Sequence, residues 1–393
     1  MALALRTAMA CLALPAVIGS AQSQAVPQLR LKPASAKLDE EFTSIGSVRE
    51  LSDGRVLITD TRDRRVVVAD LKNGTVTQVG RTGDGPAEYA MAAPIHRLAG
   101  DSSIMFDVMT RRWLLFDGAS IVATMPPDAP IITAMKGSAK GSDVRGNVWR
   151  TASPPGMGGG VPDDKSWKPG SRDWGGKDSE FVVRGNRATA KVDTVAKVRM
   201  TPARQTVVMT PGGAKVQSVS WVRPPMVVGE DAVLFPDGWF AIARLDPYRV
   251  DWITPDGRVA KGRPIAVPQL KVTPAEKDAY FARQLARRGP NAPKLPESIL
   301  RDMEALRDQF PEVMPPYTAF GLSAGGDGSL WLQHEPSIDF PDARYDVVDR
   351  RGVLVAVVSL AKRESIIGLG PRSVYVVWKD SDDIERLRRH PWP

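Results

Sequence analysis

Three histidines (His96, His334 and His390) and one cysteine (Cys11) are the chain's whole stock of imidazole and thiol. No His-x-x-x-His pair and no second cysteine accompanies them, so the ligand spacing of a zinc site is missing. No Gly-x-Ser-x-Gly elbow presents a serine nucleophile. Gly80, Gly83 and Gly85 are spaced like a phosphate cradle, but no Lys-Ser or Lys-Thr follows and Pro86 removes an amide donor. The residues suited to chemistry are those of recognition. His96 with Arg97, Trp221 with Arg223, Tyr317 and His334 supply two cations, two aromatic rings and two imidazoles. That mixture suits an anionic or carbohydrate-like ligand, covered by rings and fixed by charge-assisted hydrogen bonds. Neither a metal nor a cofactor is expected.

Composition narrows the setting. Of 393 residues, 42% are hydrophobic and 25% charged, which is enough for an ordinary core. The first 25 residues resemble an export leader: Arg6, an apolar run from Ala8 to Ile18, then small residues with cleavage after Ala21 or Ala25. The run is too short to span a bilayer. Cys11 would leave with the leader; read as a lipoprotein cysteine after Ala10, it has too short an apolar run before it. The mature protein is therefore expected to be secreted or periplasmic, thiol-free and monomeric, with no transmembrane segment. The net charge of +8 invites a nucleic-acid reading, but Arg62, Arg64, Arg65, Arg111, Arg112, Arg287, Arg288, Arg388 and Arg389 are scattered among acids. No basic-aromatic platform accompanies them, so nucleic acid is not expected, while an acidic polymer stays open.

Six turn signals must position these groups: Asp53-Gly54, Gly100-Asp101, Gly146-Asn147, Asp237-Gly238, Asp327-Gly328 and Gly370-Pro371. Each lies between short β-branched or aromatic runs, and their steps are roughly 45 residues or twice that, a propeller period. Residues 48–70 align without a gap on residues 95–117. Leu51 meets Leu98, Asp60 meets Asp107, and Arg64–Arg65 meet Arg111–Arg112. A second set of turns at Asn73-Gly74, Asp117-Gly118, Asp256-Gly257 and Arg351-Gly352 leads into a fourth strand. Four-stranded antiparallel units repeated around an axis make an all-β, six-bladed β-propeller.

The segment Ile58-Thr59-Asp60, followed by Asp63-Arg64-Arg65-Val66-Val67-Val68, resembles the strand-loop-strand core of NHL-type propeller repeats. Gly83-Asp84-Gly85-Pro86-Ala87-Glu88-Tyr89, ending at Pro94, resembles the connector between NHL blades. The resemblance is clear over residues 45–118 and fades beyond. It implies a six-bladed ring and leaves the activity open, because such propellers include binding modules and enzymes. Some six-bladed lactonases and related hydrolases hold calcium or a similar cation in the central channel, on oxygen ligands from several blades. Here the innermost strands open on Glu50, Arg97, Met135, Leu234, Phe320 and Gly368, which is no acidic ring. Asp60 and Asp107 read instead as partners of the arginines five positions on, bracing a loop.

Two stretches depart from the period. Residues 153–179 form a Gly/Pro/Trp-rich loop in blade three. Residues 273–310 read as a helical hairpin between blades four and five, with a capping box at Thr273 and Glu276 and Pro274 in the first turn. The last blade lacks a fourth strand, and residues 28–32 are expected to supply it beside residues 384–388. Two functions follow from this reading. One is an exported binding or scaffold module holding a peptide, glycan or protein on loops of one face. The other is a lactonase-like hydrolase or lyase, with or without a cation. The shared ligand face is expected to gather His96, Arg97, Trp221, Arg223, Tyr317 and His334.

Overall fold

Short apolar strands broken by Asp-Gly pairs fold into six antiparallel meanders arranged around one axis. The structure, a computed structural model, describes residues 26–135, 139–152, 179–201, 204–209, 216–286, 294–295 and 297–392. The leader expected over residues 1–25, and the loop expected over 153–179 apart from Ser179, lie outside them. Blade one is Ile45–Glu50, Val56–Asp60, Arg65–Asp70 and Thr75–Gln78. Blade two is Ile95–Arg97, Ser102–Asp107, Arg112–Asp117 and Ser120–Met125. Blade three is Gly141–Ser142, Asn147–Ala152, Ser179–Asn186 and Val192–Arg199. Blade four is Asp231–Leu234, Phe240–Leu245, Tyr248–Ile253 and Val259–Ala260. Blade five is Leu322–Ala324, Leu330–Gln333, Arg344–Val348 and Leu354–Ser359. Blade six is Glu364–Leu369, Ser373–Lys379, Glu385–Pro391 and, from the other end of the chain, Ala36–Phe42.

All six turn signals join the first strand of a blade to its second. There the amides of Leu51, Leu98, Asp143, Phe235, Gly325 and Gly370 donate to carbonyls four or three residues on. Glycine is required where the turn reverses with positive φ, at 87° for Gly54 and 90° for Gly238. Each blade buries both of its faces, which is why Val56–Asp60 is buried throughout. Six apolar clusters result, one at each blade interface.

Ring closure corrects the expectation for residues 28–32. Ala36–Phe42 is the strand that pairs with Glu385–Pro391, antiparallel, with Leu38 opposite Leu387 and Phe42 opposite Glu385. Gln28–Arg30 instead pairs in parallel with the outer strand of blade five, Gln28 opposite Val357. The choice follows from burial. Leu38 and Phe42 enter the apolar cluster between blades six and one, whereas Gln28, Leu29 and Arg30 are all exposed. Covering the blade-five edge leaves less unpaired backbone there.

The recurring aspartates also act differently from expectation. Arg65 Nε stands 3.9 Å from the Asp60 carboxylate, a loose contact. That carboxylate is fully buried and accepts backbone N–H groups from Thr43 (2.8 Å), Ser44 (3.1 Å), Arg62 (3.2 Å) and Asp63 (3.1 Å). Asp107 does the same for Ala90 (2.7 Å), Met109 (3.0 Å) and Thr110 (3.4 Å). Each aspartate ties the connector into a blade to the loop between that blade's second and third strands. The arginines reach elsewhere, Arg65 to Glu40 at 2.8 Å and Arg112 to the Asp84 carbonyl at 2.7 Å.

Among the described residues, three α-helices interrupt the β pattern. Helix α1, Pro130–Met135, was hidden in the sequence and buries Ile131, Ile132 and Met135 between blades two and three. Helices α2, Pro274–Ala286, and α3, Glu297–Ala305, form the insertion between blades four and five. Thr273 Oγ1 caps α2 by accepting the Glu276 amide at 3.3 Å. The Glu276 carboxylate does not return the bond; it accepts the Ile338 amide at 2.9 Å, and Arg283 donates to the Pro336 carbonyl at 2.8 Å. The hairpin is thereby docked on the loop between the second and third strands of blade five. A further hairpin, Arg204–Met209 with Val216–Val222, follows blade three.

Candidate ligand site in the central channel

The innermost strands of all six blades enclose a channel of about 790 Å³. The residue just before the first turn of each blade occupies the same level: Glu50, Arg97, Ser142, Leu234, Ala324 and Leu369, all lining the channel. Sequence reading placed Glu50, Arg97 and Leu234 correctly. Met135 belongs to α1, Phe320 precedes its strand, and Gly368 lies one level further along. Helix α1 takes up residues that the even period assigns to blade three, which is why that blade's inner strand was misplaced. One level from the turns, Arg49 and His96 hold equivalent positions on blades one and two. The gapless alignment of those blades already set them opposite each other.

The turn end of the channel is cationic. Arg49 is only 5% exposed, and one guanidinium nitrogen donates to the Gly100 carbonyl at 2.7 Å. Its other two nitrogens, Nε and Nη1, are buried without partners among the described residues. Desolvation first, and then the neighbouring Arg97, bring this guanidinium down to about 10. Arg97 has no ion-pair or side-chain hydrogen-bond partner among the described residues. It also lines a second cavity of about 450 Å³ that includes Pro236, Gly326 and Arg350, so it stands where the two spaces meet. Arg350 itself is committed: three rings, Phe235, Trp239 and Trp252, lie 4.6, 4.8 and 4.9 Å from it, and Asp237 pairs with it at 3.0 Å. The only carboxylate among the described residues at the turn-end level of the channel, Glu50, is engaged by Arg389 at 3.3 Å and packs against Gly370, where any side chain would collide with it.

His96 lines the channel beside Arg97 and has no hydrogen-bond partner among the described residues. Desolvation pulls its imidazole down to about 4, so it is neutral at neutral pH. An unfolded histidine titrates near 6.5. Between those values the unfolded chain takes up the proton first, so the stabilising contribution is full above about 6.5 and is lost as pH falls toward about 4. The window is worth roughly 3 kcal/mol at its acid end. Urea unfolding at a series of pH values should therefore show a steeper loss in this interval for the parent than for His96→Gln. Identical profiles would contradict a desolvated His96.

The opposite end, where connectors lead into the blades, combines rings and cations. Lys140 Nζ lies 5.6 Å from the Trp149 ring and 5.9 Å from that of Phe320. Arg223 lies 4.9 Å from the same Phe320 ring. Phe320 is 66% exposed and adopts a positive φ of 61°, unusual for a residue of its bulk. Burial raises the Asp231 carboxyl at this end, with Lys140 opposing the shift.

Of the six residues expected to share a face, three belong to this channel and its rim: His96, Arg97 and, through Phe320, Arg223. Tyr317 is a correction. It is 1% exposed, sealed between blades four and five, and its hydroxyl donates to the Gly229 carbonyl at 2.8 Å. His334 is another. Its Nε2 is 2.7 Å from the buried Asp346, which also accepts from Tyr248 at 3.4 Å, and it does not line the channel. Trp221 lies in the strand Val216–Val222, and its side chain lies outside the described structure. Reading missed Arg49, Lys140, Trp149, Asp231 and Phe320 as one constellation, because they come from four blades and no local motif joins them.

Among the described residues no group of three or more His, Cys, Asp or Glu converges. No described helix is long and apolar enough to cross a membrane. No protein-family profile and no curated protein sequence matches the chain. Several solved structures resemble it in architecture. Regucalcin from Agrobacterium tumefaciens, a calcium-binding protein, is 9% identical with a TM-score of 0.41, over 93% of this chain and 97% of that one. A luciferin-regenerating enzyme is 12% identical with a TM-score of 0.41, over 91% and 94%. Virginiamycin B lyase from Staphylococcus aureus is 10% identical with a TM-score of 0.37, over 90% and 97%. None of these likenesses assigns an activity to this chain.

Proposed function

We propose that this propeller is a binding module that takes a small anionic ligand, or the anionic end of a larger one, into its central channel, and that it works outside the cytoplasm. The carrying observation is Arg97, a guanidinium with no ion-pair partner among the described residues, in a channel of about 790 Å³, a volume typical of ligand pockets. Arg49 at the same end and Lys140 at the other add positive charge to the lining, Arg223 stands against Phe320 at the rim, and the chain's net charge of +8 favours the approach of anions. Phe320 offers an exposed ring at the rim for the ligand's apolar body.

A second reading, a hydrolase or lyase, rests on His96: a neutral imidazole in the channel, without a partner among the described residues, is in the form that accepts a proton. One experiment addresses both. Organic anions and their neutral isosteres are screened by thermal shift, and each hit is recovered and checked for chemical change. The binding reading expects anions to raise the melting temperature selectively, since a ligand at a hundred times its dissociation constant stabilises by about 2.7 kcal/mol. It expects recovery of the hit unchanged. Equal shifts for anions and neutral isosteres would overturn the proposal, and turnover of a hit would favour the enzyme.

A further inference from the structure

We infer that the turn end of the channel is a carboxylate site, in which the Arg97 guanidinium takes both oxygens of a ligand carboxylate while Arg49 and His96 flank it. This rests on the channel being the ligand site and goes beyond it by naming the group recognised. Three observations converge. Arg97 is a rigid fork of donors with no partner among the described residues, placed where the two cavities meet. A planar carboxylate matches such a fork with two parallel hydrogen bonds. Behind it, Arg49 is nine-tenths buried, lines the channel, and keeps two nitrogens unpartnered. Its nearest carboxylates are engaged elsewhere, Asp101 by Ser52 at 2.6 Å and Glu50 by Arg389. The two guanidinium groups thus repel each other at this end of the channel; Asp101 and Glu50 act on Arg49 at a distance, but neither guanidinium has a direct ion-pair partner among the described residues, and a bound anion relieves the repulsion.

The surrounding charges decide the anion's valence. Arg49 and Glu50 project from blade one, Arg97 from blade two, Lys140 from blade three and Asp231 from blade four. Glu50 at the same level as Arg97 repels a second negative charge, and one of its oxygens is buried without a partner. A monoanion is matched; a phosphate dianion is penalised. His96 adds a neutral N–H donor one level away, which suits an oxygen acceptor without adding charge.

The three histidines make the site readable by NMR, because their ring signals are few and His96→Gln assigns one of them. The mature protein at neutral pH is titrated in parallel with sodium acetate, acetamide and inorganic phosphate at matched ionic strength. Acetate is expected to move the His96 signals saturably, acetamide to leave them in place, and phosphate to bind more weakly than acetate. Arg97→Gln should raise the acetate dissociation constant about tenfold or more. Arg97→Lys, which keeps the charge and loses the fork, should weaken it less and serves if the glutamine variant does not fold. An undiminished acetate response in both variants, or no difference between acetate and acetamide, would overturn the carboxylate assignment. Tighter binding of phosphate would overturn it too, while leaving a channel that binds anions. Failure of every organic anion in the thermal screen, with the acetate response intact, would instead remove the binding function and leave the site.

Discussion

Removing the chain through Phe42 is expected to abolish the folded state, whereas removing it only as far as Pro33 should leave the ring intact. The shorter cut takes away Gln28–Arg30, three exposed residues on the outer edge of blade five. The longer cut also takes Ala36–Phe42, the strand through which the first part of the chain clasps the last. Leu38 and Phe42 are fully buried between blades six and one, and truncating either costs about 2–5 kcal/mol. Losing both, with the whole ladder to Glu385–Pro391, approaches the 5–15 kcal/mol that holds a typical domain together. Circular dichroism and urea unfolding of the two truncations measure the difference. A protein beginning at Thr43 that melts with the full-length chain would show that the ring does not depend on this clasp.

Asp60→Ala is expected to cost about 3–5 kcal/mol, the range for stripping the partner from buried, hydrogen-bonded groups. The carboxylate gathers four backbone amides from two segments, and without it those donors are left with no acceptor in a site closed to water. Asp60→Asn should recover part of this, because its carbonyl oxygen can take the Oδ1 place that serves Ser44, Arg62 and Asp63, while its NH2 meets the Thr43 amide donor to donor. Asp63→Ala, three residues on and exposed, is the control and should cost less than about 1 kcal/mol. Denaturant midpoints of the three variants test this; an Asp60→Ala protein as stable as the Asp63→Ala control would mean that water satisfies the amides.

The ring was legible because its signals are local. Asp-Gly and Asn-Gly pairs demand positive φ within a few residues, and strands of fixed length between them force a meander. The gapless match of the first two blades carried their geometry over directly, which is why Arg97 and Glu50 were placed at one level of the channel. Elsewhere the signal was not local. The clasp depended on which of two neighbouring segments buries apolar side chains, and Leu38 with Phe42 outweighed the more even alternation around Gln28. Helix α1 is six residues long, too short for a helical period to stand out, and it displaced the reading of blade three. Tyr317 and His334 have the composition of site residues but are held by Gly229, far off in sequence, and by Asp346 on the next strand of the same blade. Tyr and His are amphipathic, and whether such a ring meets a ligand or a buried carbonyl is settled by packing alone.

The central claim is that the channel holds an anion, and the most direct measurement is where a bound anion lies. Crystals of the mature protein soaked with the strongest organic anion from the thermal screen should show it inside the ring. Its charged group is predicted within hydrogen-bond distance of Arg97, with its body extending toward Phe320 and Lys140. An anion found only on the outer strands or on the helical insertion, with the channel unchanged and Arg97 untouched, would contradict the account.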